Sequence, residues 1–223
     1  MHREQGDYWI VRSSRTMTMP PTLGLVLAGG LARRMGGGDK ARIAIAGVTI
    51  LQRVLDRLIP QCSRTIINAN GDPARFADTG LAVVADSVPE FAGPLAGILA
   101  GLDWAAAQAP DCDWLLSVPG DCPFLPRDLA ARLHRARIAA GSPLACARSG
   151  QWRHPVVGLW PVALREDLRR ALGDGLRKIE VWTDRHGVAI ADWPITPVDP
   201  FLNVNTPEDK ARAEAIAAQF PNA

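Results

Sequence analysis

One segment near the start of the chain has residue types suited to binding a phosphorylated ligand. An apolar run stops abruptly at two glycines, and further glycines and basic side chains follow. Backbone N–H groups can approach phosphate oxygens closely only where no Cβ obstructs them, and mobile cations can neutralise the remaining oxygens. The pattern therefore predicts a buried strand that leads into an anion-binding loop. The segment comprises Leu23–Ala28, Gly29, Gly30, Arg34, Gly36–Gly38 and Lys40.

Two widespread phosphate-binding loops do not fit this segment. The Walker pattern requires Ser or Thr directly after its lysine, whereas Ala41 follows Lys40. The dinucleotide fingerprint can be placed only on Gly36, Gly38 and Ala41, which lie well beyond the end of the predicted strand. A flexible glycine loop with two solvated arginines is the alternative to an anion-binding loop.

Polar side chains follow three further apolar runs along the chain. These runs lead to Asn68, to Asp86 and, after a Pro-Gly pair, to Asp121. Segments with helical spacing of apolar residues separate the runs, and Thr49 is the expected N-cap of the first such segment. This alternation predicts an α/β fold with a mainly parallel sheet and helices on both faces. Because ligands of such sheets bind beyond the carboxyl ends of the strands, we expect these side chains to share one crevice with Gly29.

The side chains at the strand ends have chemistry suited to a nucleotide and a metal ion. The amide of Asn68 offers a donor and an acceptor for a nucleobase edge, although an Asx turn before Gly71 would explain it equally well. Asp121 is our candidate ligand for Mg²⁺, which prefers one or two carboxylates together with water and phosphate oxygens. The alternative is an aspartate that stabilises a turn beside Pro123.

Bulk properties favour a globular protein without a nucleic-acid or membrane partner. Lys and Arg number 25 against 23 Asp and Glu, so no overall field attracts an anionic polymer or surface. The four cysteines have no C-x-x-C pair or zinc spacing, so we expect reduced thiols and a cytoplasmic location. No apolar stretch reaches the roughly 18 residues of a membrane helix. We expect residues 1–20 to form a poorly ordered N-terminal extension and 21–223 a single domain.

The second half of the chain contains a predicted hairpin and further helices. Gly150 supplies the hairpin turn, and Thr206 caps a closing helix that begins at Pro207. Another helix is predicted with Arg177 and Lys178 in its first turns, where cations oppose the helix dipole. Either an anionic ligand lies nearby or the two side chains form a solvated basic face.

The glycine-rich loop resembles the signature of a known enzyme family. The run LAGG-x-x-x-RMGG-x-DK from Leu27 to Lys40 is similar to that of the molybdenum cofactor guanylyltransferases, and the resemblance extends over the chain beyond its N-terminal segment. Further matching motifs are GPLAG at 93–97, RHPV at 153–156 and NVNTPE at 203–208. The chain departs from the pattern at Gly120, where many relatives have Cys, and by an insertion at 105–111.

The resemblance implies a role for each matching residue. We assign catalysis to Arg34, Lys40 and Asp121, with Asp121 also holding Mg²⁺. The implied GTP-binding residues are Leu27, Ala28, Gly29, Gly30, Lys40, Asn68, Asp86 and Asp121. The candidates for the pterin side are Arg153, His154, Asn203 and Asn205 from the motifs, together with Arg177 and Lys178.

The implied reaction is transfer of GMP from GTP to the terminal phosphate of molybdopterin cofactor, with Mg²⁺ as cofactor and pyrophosphate as leaving group. The pterin phosphate is already ionised near neutral pH, so no general base is required. The resemblance also implies a three-layer, Rossmann-like fold of the glycosyltransferase-A-like nucleotidyltransferase type. Expected partners are the two substrates and, on the product side, chaperones of molybdoenzymes or other cofactor-synthesis proteins.

Three other activities fit parts of the pattern. In cytidylyltransferases that act on the same cofactor, the loop is similar to LAAG at the position where this chain has Gly29 and Gly30. The glycine in place of alanine favours a purine base. A sugar-phosphate or isoprenoid nucleotidyltransferase shares the loop but not the motif at 203–207. A non-catalytic GTP-binding protein that delivers cofactor would not need the magnesium carboxylate of Asp121.

Overall fold

The structure, a computed structural model, describes residues 19–29, 42–88 and 93–221. Strands and helices alternate along these residues, as the apolar patterns predict. The strands are β1 (Thr22–Leu27), β2 (Ala44–Ile45), β3 (Val48–Thr49), β4 (Arg64–Asn68), β5 (Ala82–Val84), β6 (Trp114–Pro119), β7 (Leu144–Ser149), β8 (Trp152–Pro161) and β9 (Val188–Trp193). The α-helices are α1 (Ile50–Leu58), α2 (Pro94–Gln108), α3 (Leu129–Ala140), α4 (Arg165–Gly173), α5 (Ile179–His186) and α6 (Pro207–Gln219).

In the part of the chain that the structure describes, seven strands form one sheet in the order β5-β4-β1-β6-β8-β7-β9. β8 runs antiparallel to its neighbours β6 and β7, and every other pairing in this sheet is parallel. The strands β2 and β3 form a separate small hairpin. The predicted mainly parallel sheet is therefore confirmed.

Helices cover both faces of the sheet because successive strand residues point to opposite sides. In β1, Leu23 and Leu25 pack in a buried cluster with side chains of α2, α4 and α5. Val26 packs in a second cluster with side chains of α1, α3 and α6. The chain thus has the three layers that the sequence predicts, with apolar cores on both faces.

Side-chain caps begin two helices where the sequence predicts them. Thr49 Oγ1 accepts a hydrogen bond from the N–H of Gln52 at 3.2 Å, at the start of α1. Thr206 Oγ1 accepts from the N–H of Asp209 at 3.2 Å, and the Asp209 carboxylate accepts from the N–H of Thr206 at 3.0 Å. Pro207 occupies the first turn of α6, where its missing N–H has no partner to lose.

The helix predicted around Arg177 begins later than expected, so that prediction is wrong. α5 begins at Ile179 with Lys178 at its N-cap, after a turn in which Gly175 has a φ of +88°. Arg177 Nη1 donates to the carbonyl oxygen of Leu172 at 3.3 Å, in the last turn of α4. A cation there is favoured by the helix dipole, so the conflict does not arise for Arg177, whereas Lys178 still lies at the N-terminus of α5.

The cysteines and the helices agree with two exclusions made from the sequence. All four cysteines lie among the described residues and are free thiols. None of the helices in the described ranges is long and apolar enough to cross a membrane.

Candidate active site at the carboxyl ends of the strands

The ends of four neighbouring strands lie in register at one edge of the sheet. Leu27, the last residue of β1, pairs with Asn68 of β4 on one side and with Pro119 of β6 on the other. Asn68 in turn pairs with Val84, the last residue of β5. Residues that end or follow these strands therefore meet at one edge, as the sequence predicts. Those predicted for the site are Leu27, Ala28, Gly29, Asn68, Asp86 and Asp121.

Backbone hydrogen bonds continue across the strand ends into the loops. The N–H of Ala28 donates to the Asn68 carbonyl at 2.8 Å, and the N–H of Gly120 donates to the Leu27 carbonyl at 2.9 Å. A Cβ at Gly120 would lie 3.2 Å from that same carbonyl oxygen, tighter than most Cβ contacts. The glycine therefore allows the loop after β6 to stay close to β1, which fixes the start of the segment that carries Asp121.

Two asparagine amides hold the carboxylate of Asp86. Asn68 Nδ2 donates to Asp86 Oδ1 at 2.9 Å and to the Val84 carbonyl at 3.1 Å. Asn70 Nδ2 donates to Asp86 Oδ2 at 2.8 Å, and Asn70 Oδ1 accepts from the N–H of Asp86 at 2.9 Å. Sequence reasoning missed Asn70, although a spacing of two in an extended chain places its side chain on the same side as that of Asn68.

The first turns of α2 pack directly against these strand ends. A Cβ at Gly97 would collide with Asn68 Oδ1 and would lie 2.7 Å from Leu27 Cδ2. Gly93, the N-cap residue of α2, has a φ of +141°, a conformation that other residues rarely adopt. The glycines of the GPLAG motif therefore let α2 approach the site while the Asn68 side chain keeps its position.

The segment 199–205 lies against Asp121 from the other side. The N–H of Val204 donates to the Asp121 carbonyl at 3.0 Å, and Cys122 Sγ donates to Asn203 Oδ1 at 2.6 Å. Burial, reinforced by the charges of Asp121 and Asp199, raises the pKa of the Cys122 thiol well above its usual range. The thiol is therefore a stable donor that ties the NVNTPE motif to the loop after β6, a contact that sequence reasoning missed.

His154 joins the same part of the edge from β8. Pairing between β7 and β8 shifts between Cys146 and Ala147, and Ala147 then pairs with His154. His154 Nε2 shares a hydrogen bond with Ser149 Oγ at 2.7 Å, and its ring centroid lies 4.6 Å from that of Phe201. Burial lowers the pKa of His154, so the ring is neutral near pH 7. The predicted RHPV motif thus contacts the segment that leads into the NVNTPE motif.

Three of the remaining pterin-side candidates have structural partners. Arg153 Nη1 lies 3.6 Å from Asp184 Oδ1 of α5, a solvent-exposed ion pair. The N–H of Asn205 donates to Asp209 Oδ2 at 3.0 Å, next to the N-cap of α6. Arg177 contacts the end of α4, as described above. For Arg177 the helix-dipole argument no longer supports a role toward the pterin, whereas Lys178 stays at the N-cap of α5, where a cation opposes the dipole.

Part of the predicted phosphate loop and the metal site are not settled by the described residues. Gly30, Arg34 and Lys40 lie outside the described residues, so their roles stay predictions. Within the described ranges, no three His, Cys, Asp or Glu side chains cluster as metal ligands. Mg²⁺ does not require such a cluster, because one carboxylate with water and substrate oxygens suffices. A single carboxylate at Asp121 is therefore compatible with Mg²⁺.

A glycine-containing end of β1 beside carboxylates that follow β5 and β6 is the arrangement of a nucleotidyltransferase. In agreement, residues 24–188 match the family model of the MobA-like NTP transferase domain. The molybdenum cofactor guanylyltransferase of Nitrobacter hamburgensis is 60% identical over 204 residues, which cover 91% of this chain and 98% of that protein. That of Rhodopseudomonas palustris strain BisB5 is 59% identical over 199 residues, covering 89% and 95%.

The chain belongs to the molybdenum cofactor guanylyltransferase family and is a nucleotidyltransferase. Its fold is shared with the crystal structure of molybdopterin-guanine dinucleotide biosynthesis protein A from Archaeoglobus fulgidus. That comparison gives a TM-score of 0.69 at 22% identity and covers 89% of this chain and 100% of the other. The resemblance deduced from the loop motif is therefore confirmed.

Proposed function

We propose that this chain transfers GMP from GTP to the terminal phosphate of molybdopterin cofactor and releases pyrophosphate. The observation that carries the proposal is the strand register, which brings Gly29, Asn68, Asp86 and Asp121 to one edge of the sheet. Support for the substrates comes from relatives about 60% identical that are named molybdenum cofactor guanylyltransferase.

The proposed reaction is a substitution at phosphorus. An oxygen of the pterin phosphate forms a bond to the α-phosphorus of GTP, the bond from that phosphorus to the bridging oxygen breaks, and the electron pair leaves with pyrophosphate. The attacking oxygen is already ionised near neutral pH, so it needs no general base. The contribution of the protein is to position the two phosphates and to neutralise their charge.

The nucleotide occupies the part of the edge formed by β1, β4 and β5. Each oxygen of the Asp86 carboxylate accepts one amide hydrogen bond and can accept a second. Guanine presents two adjacent donors, N1–H and the 2-amino group, which a carboxylate can accept together. The backbone after β1 faces the phosphates, and Arg34 and Lys40 add positive charge there.

Asp121 is the residue that would hold Mg²⁺. Bound there, Mg²⁺ would supply positive charge to the phosphate oxygens of the substrate. Asp121 lies where the loop after β6 meets the segment 199–205. On one side this loop is hydrogen-bonded to β1, and on the other side it is hydrogen-bonded to Asn203. We assign the pterin to that second side, with His154, Asn203 and Asn205 as its nearest candidates and Arg153 at its margin.

A turnover assay tests the proposal directly. Each of the four nucleoside triphosphates is supplied with Mg²⁺, with and without molybdopterin, and pyrophosphate release is measured. We expect release only with GTP and molybdopterin together. Release with CTP in place of GTP would identify a cytidylyltransferase, and tight GTP binding without release would identify a delivery protein.

A further inference from the structure

Asn70 makes two hydrogen bonds to one residue, Asp86, through both ends of its amide. Its Nδ2 donates to the carboxylate at 2.8 Å while its Oδ1 accepts the backbone N–H of Asp86 at 2.9 Å. The backbone carbonyl of Asn70 also accepts from Arg75 Nη1 at 3.3 Å, which anchors the turn that carries the amide. Asn70 is solvent-exposed, and its side chain ties the segment that follows β4 to Asp86, which follows β5.

The two amide contacts fix the plane of the carboxylate. Rotation about the terminal bond of an aspartate is soft and has a broad minimum, so one hydrogen bond does not determine the orientation of the group. Asn68 holds Oδ1 of Asp86, and Asn70 holds Oδ2. With a donor on each oxygen, rotation in either direction breaks a hydrogen bond. The remaining lone pairs of the two oxygens therefore keep a constant direction.

We propose that Asn70 is a positioning residue that orients Asp86 for guanine and thereby sets the base selectivity of the site. This inference rests on the proposed function, in which Asp86 accepts the N1–H and the 2-amino group of the base. A pair of parallel hydrogen bonds to a planar edge tolerates little rotation of the carboxylate. Without Asn70, Asp86 still attracts the N1–H but no longer aligns with the 2-amino group.

Inosine triphosphate is the probe that isolates this effect, because it lacks the 2-amino group and otherwise matches GTP. Binding of GTP and ITP is measured by titration calorimetry, and kcat/KM with molybdopterin is measured for both. The variants are Asn70→Ala, which removes both contacts, and Asn70→Asp, which keeps the size but replaces the donor by a like charge. The matched control is Gln52→Ala, which removes an exposed amide–carboxylate hydrogen bond to Asp56 (2.7 Å) on α1, across the sheet from α2.

We expect the wild-type protein and Gln52→Ala to prefer GTP over ITP by about tenfold or more, the value of one well-made hydrogen bond to a base. Asn70→Ala should reduce that preference to within about threefold, chiefly through weaker GTP binding, and ITP should bind nearly as before. Asn70→Asp should lose GTP affinity further, because its carboxylate lies beside that of Asp86.

The outcomes separate this inference from the proposed function. An unchanged GTP-to-ITP ratio in Asn70→Ala overturns the role of Asn70, and so does an equal loss of affinity for both nucleotides, which a purely structural residue would produce. If the wild-type protein binds GTP selectively but releases no pyrophosphate, the proposed guanylyl transfer is wrong, while the orientation of Asp86 by Asn70 is still supported. Equal binding of GTP and ITP by the wild-type protein overturns the reading of guanine by Asp86 together with the role of Asn70.

Discussion

The buried histidine of α3 should make the protein sensitive to mild acid. His134 is 1% exposed, and its Nδ1 accepts a hydrogen bond from Arg137 Nε at 3.1 Å. Its proton therefore lies on Nε2, which is 2.9 Å from Thr22 Oγ1, and that hydroxyl donates to the Pro20 carbonyl at 2.8 Å. A second ring proton would face the guanidinium N–H of Arg137. Burial, and then the charge of Arg137, lowers the pKa of His134 from 6.5 to about 4.

The free-energy cost follows from the difference between the folded and unfolded pKa values. Between pH 6.5 and about pH 4 the unfolded chain binds a proton at His134 that the folded protein does not bind, so stability falls as the pH falls. The loss is about 2 kcal/mol near pH 5 and about 3 kcal/mol near pH 4. The total stability of a domain is about 5–15 kcal/mol, so this one side chain removes a substantial part of it.

The measurement is urea unfolding at about pH 7.5 and about pH 5 of the wild-type protein and two variants. In His134→Gln the drop in stability between the two pH values should shrink by about 2 kcal/mol, whatever the substitution costs at neutral pH. Thr22→Val should be less stable at both pH values but keep the full pH dependence, because the titrating ring remains. An equal pH dependence in wild type and His134→Gln would refute the reasoning.

Four further results are expected from the site and its supports. Asp121→Asn should lose about 100-fold or more in Mg²⁺-dependent pyrophosphate release, with an unfolding midpoint near that of wild type; retained activity would remove Asp121 from the metal site. Lys40→Ala should weaken GTP binding by about tenfold, and calorimetry giving an unchanged Kd would contradict the loop assignment. Gly97→Ala should cost about 1–3 kcal/mol and lower GTP affinity, because its Cβ displaces the Asn68 amide; a variant as stable as wild type would contradict this contact. Thr206→Ala should lower the free energy of unfolding by about 1 kcal/mol, while Thr206→Ser should restore most of it.

The parts of the site that follow strands could be predicted from the sequence. A buried parallel strand gives a continuous apolar run, and its carboxyl end is marked by the first polar residues after that run. This local signal was sufficient to place Asn68, Asp86 and Asp121 at one edge, because neighbouring parallel strands end together. The caps at Thr49 and Thr206 were predictable for a similar reason, since each depends on residues within one turn.

Contacts between distant segments could not be predicted in this way. The hydrogen bond from Cys122 to Asn203 joins residues 81 positions apart and depends on the path of the whole C-terminal region. The start of α5 was also misjudged, because the turn at Gly175 delays the helix and lets Arg177 reach back to α4. In both cases the two partners belong to different segments, and the pattern within one segment carries no information about which other segment it contacts.

Under the proposed function, the position of β6 in the sheet would let one carboxylate serve both substrates. β6 lies between β1, whose end carries the glycines, and β8, whose His154 contacts the segment 199–205. The loop after β6 is hydrogen-bonded on both sides. The N–H of Gly120 donates to the Leu27 carbonyl, and the Asp121 carbonyl accepts from the N–H of Val204. A group transferred between two phosphates must pass a point that both can reach. Because backbone hydrogen bonds fix the loop to β1 on one side and to Val204 on the other, Asp121 would be held between the proposed nucleotide and pterin positions whichever substrate binds first.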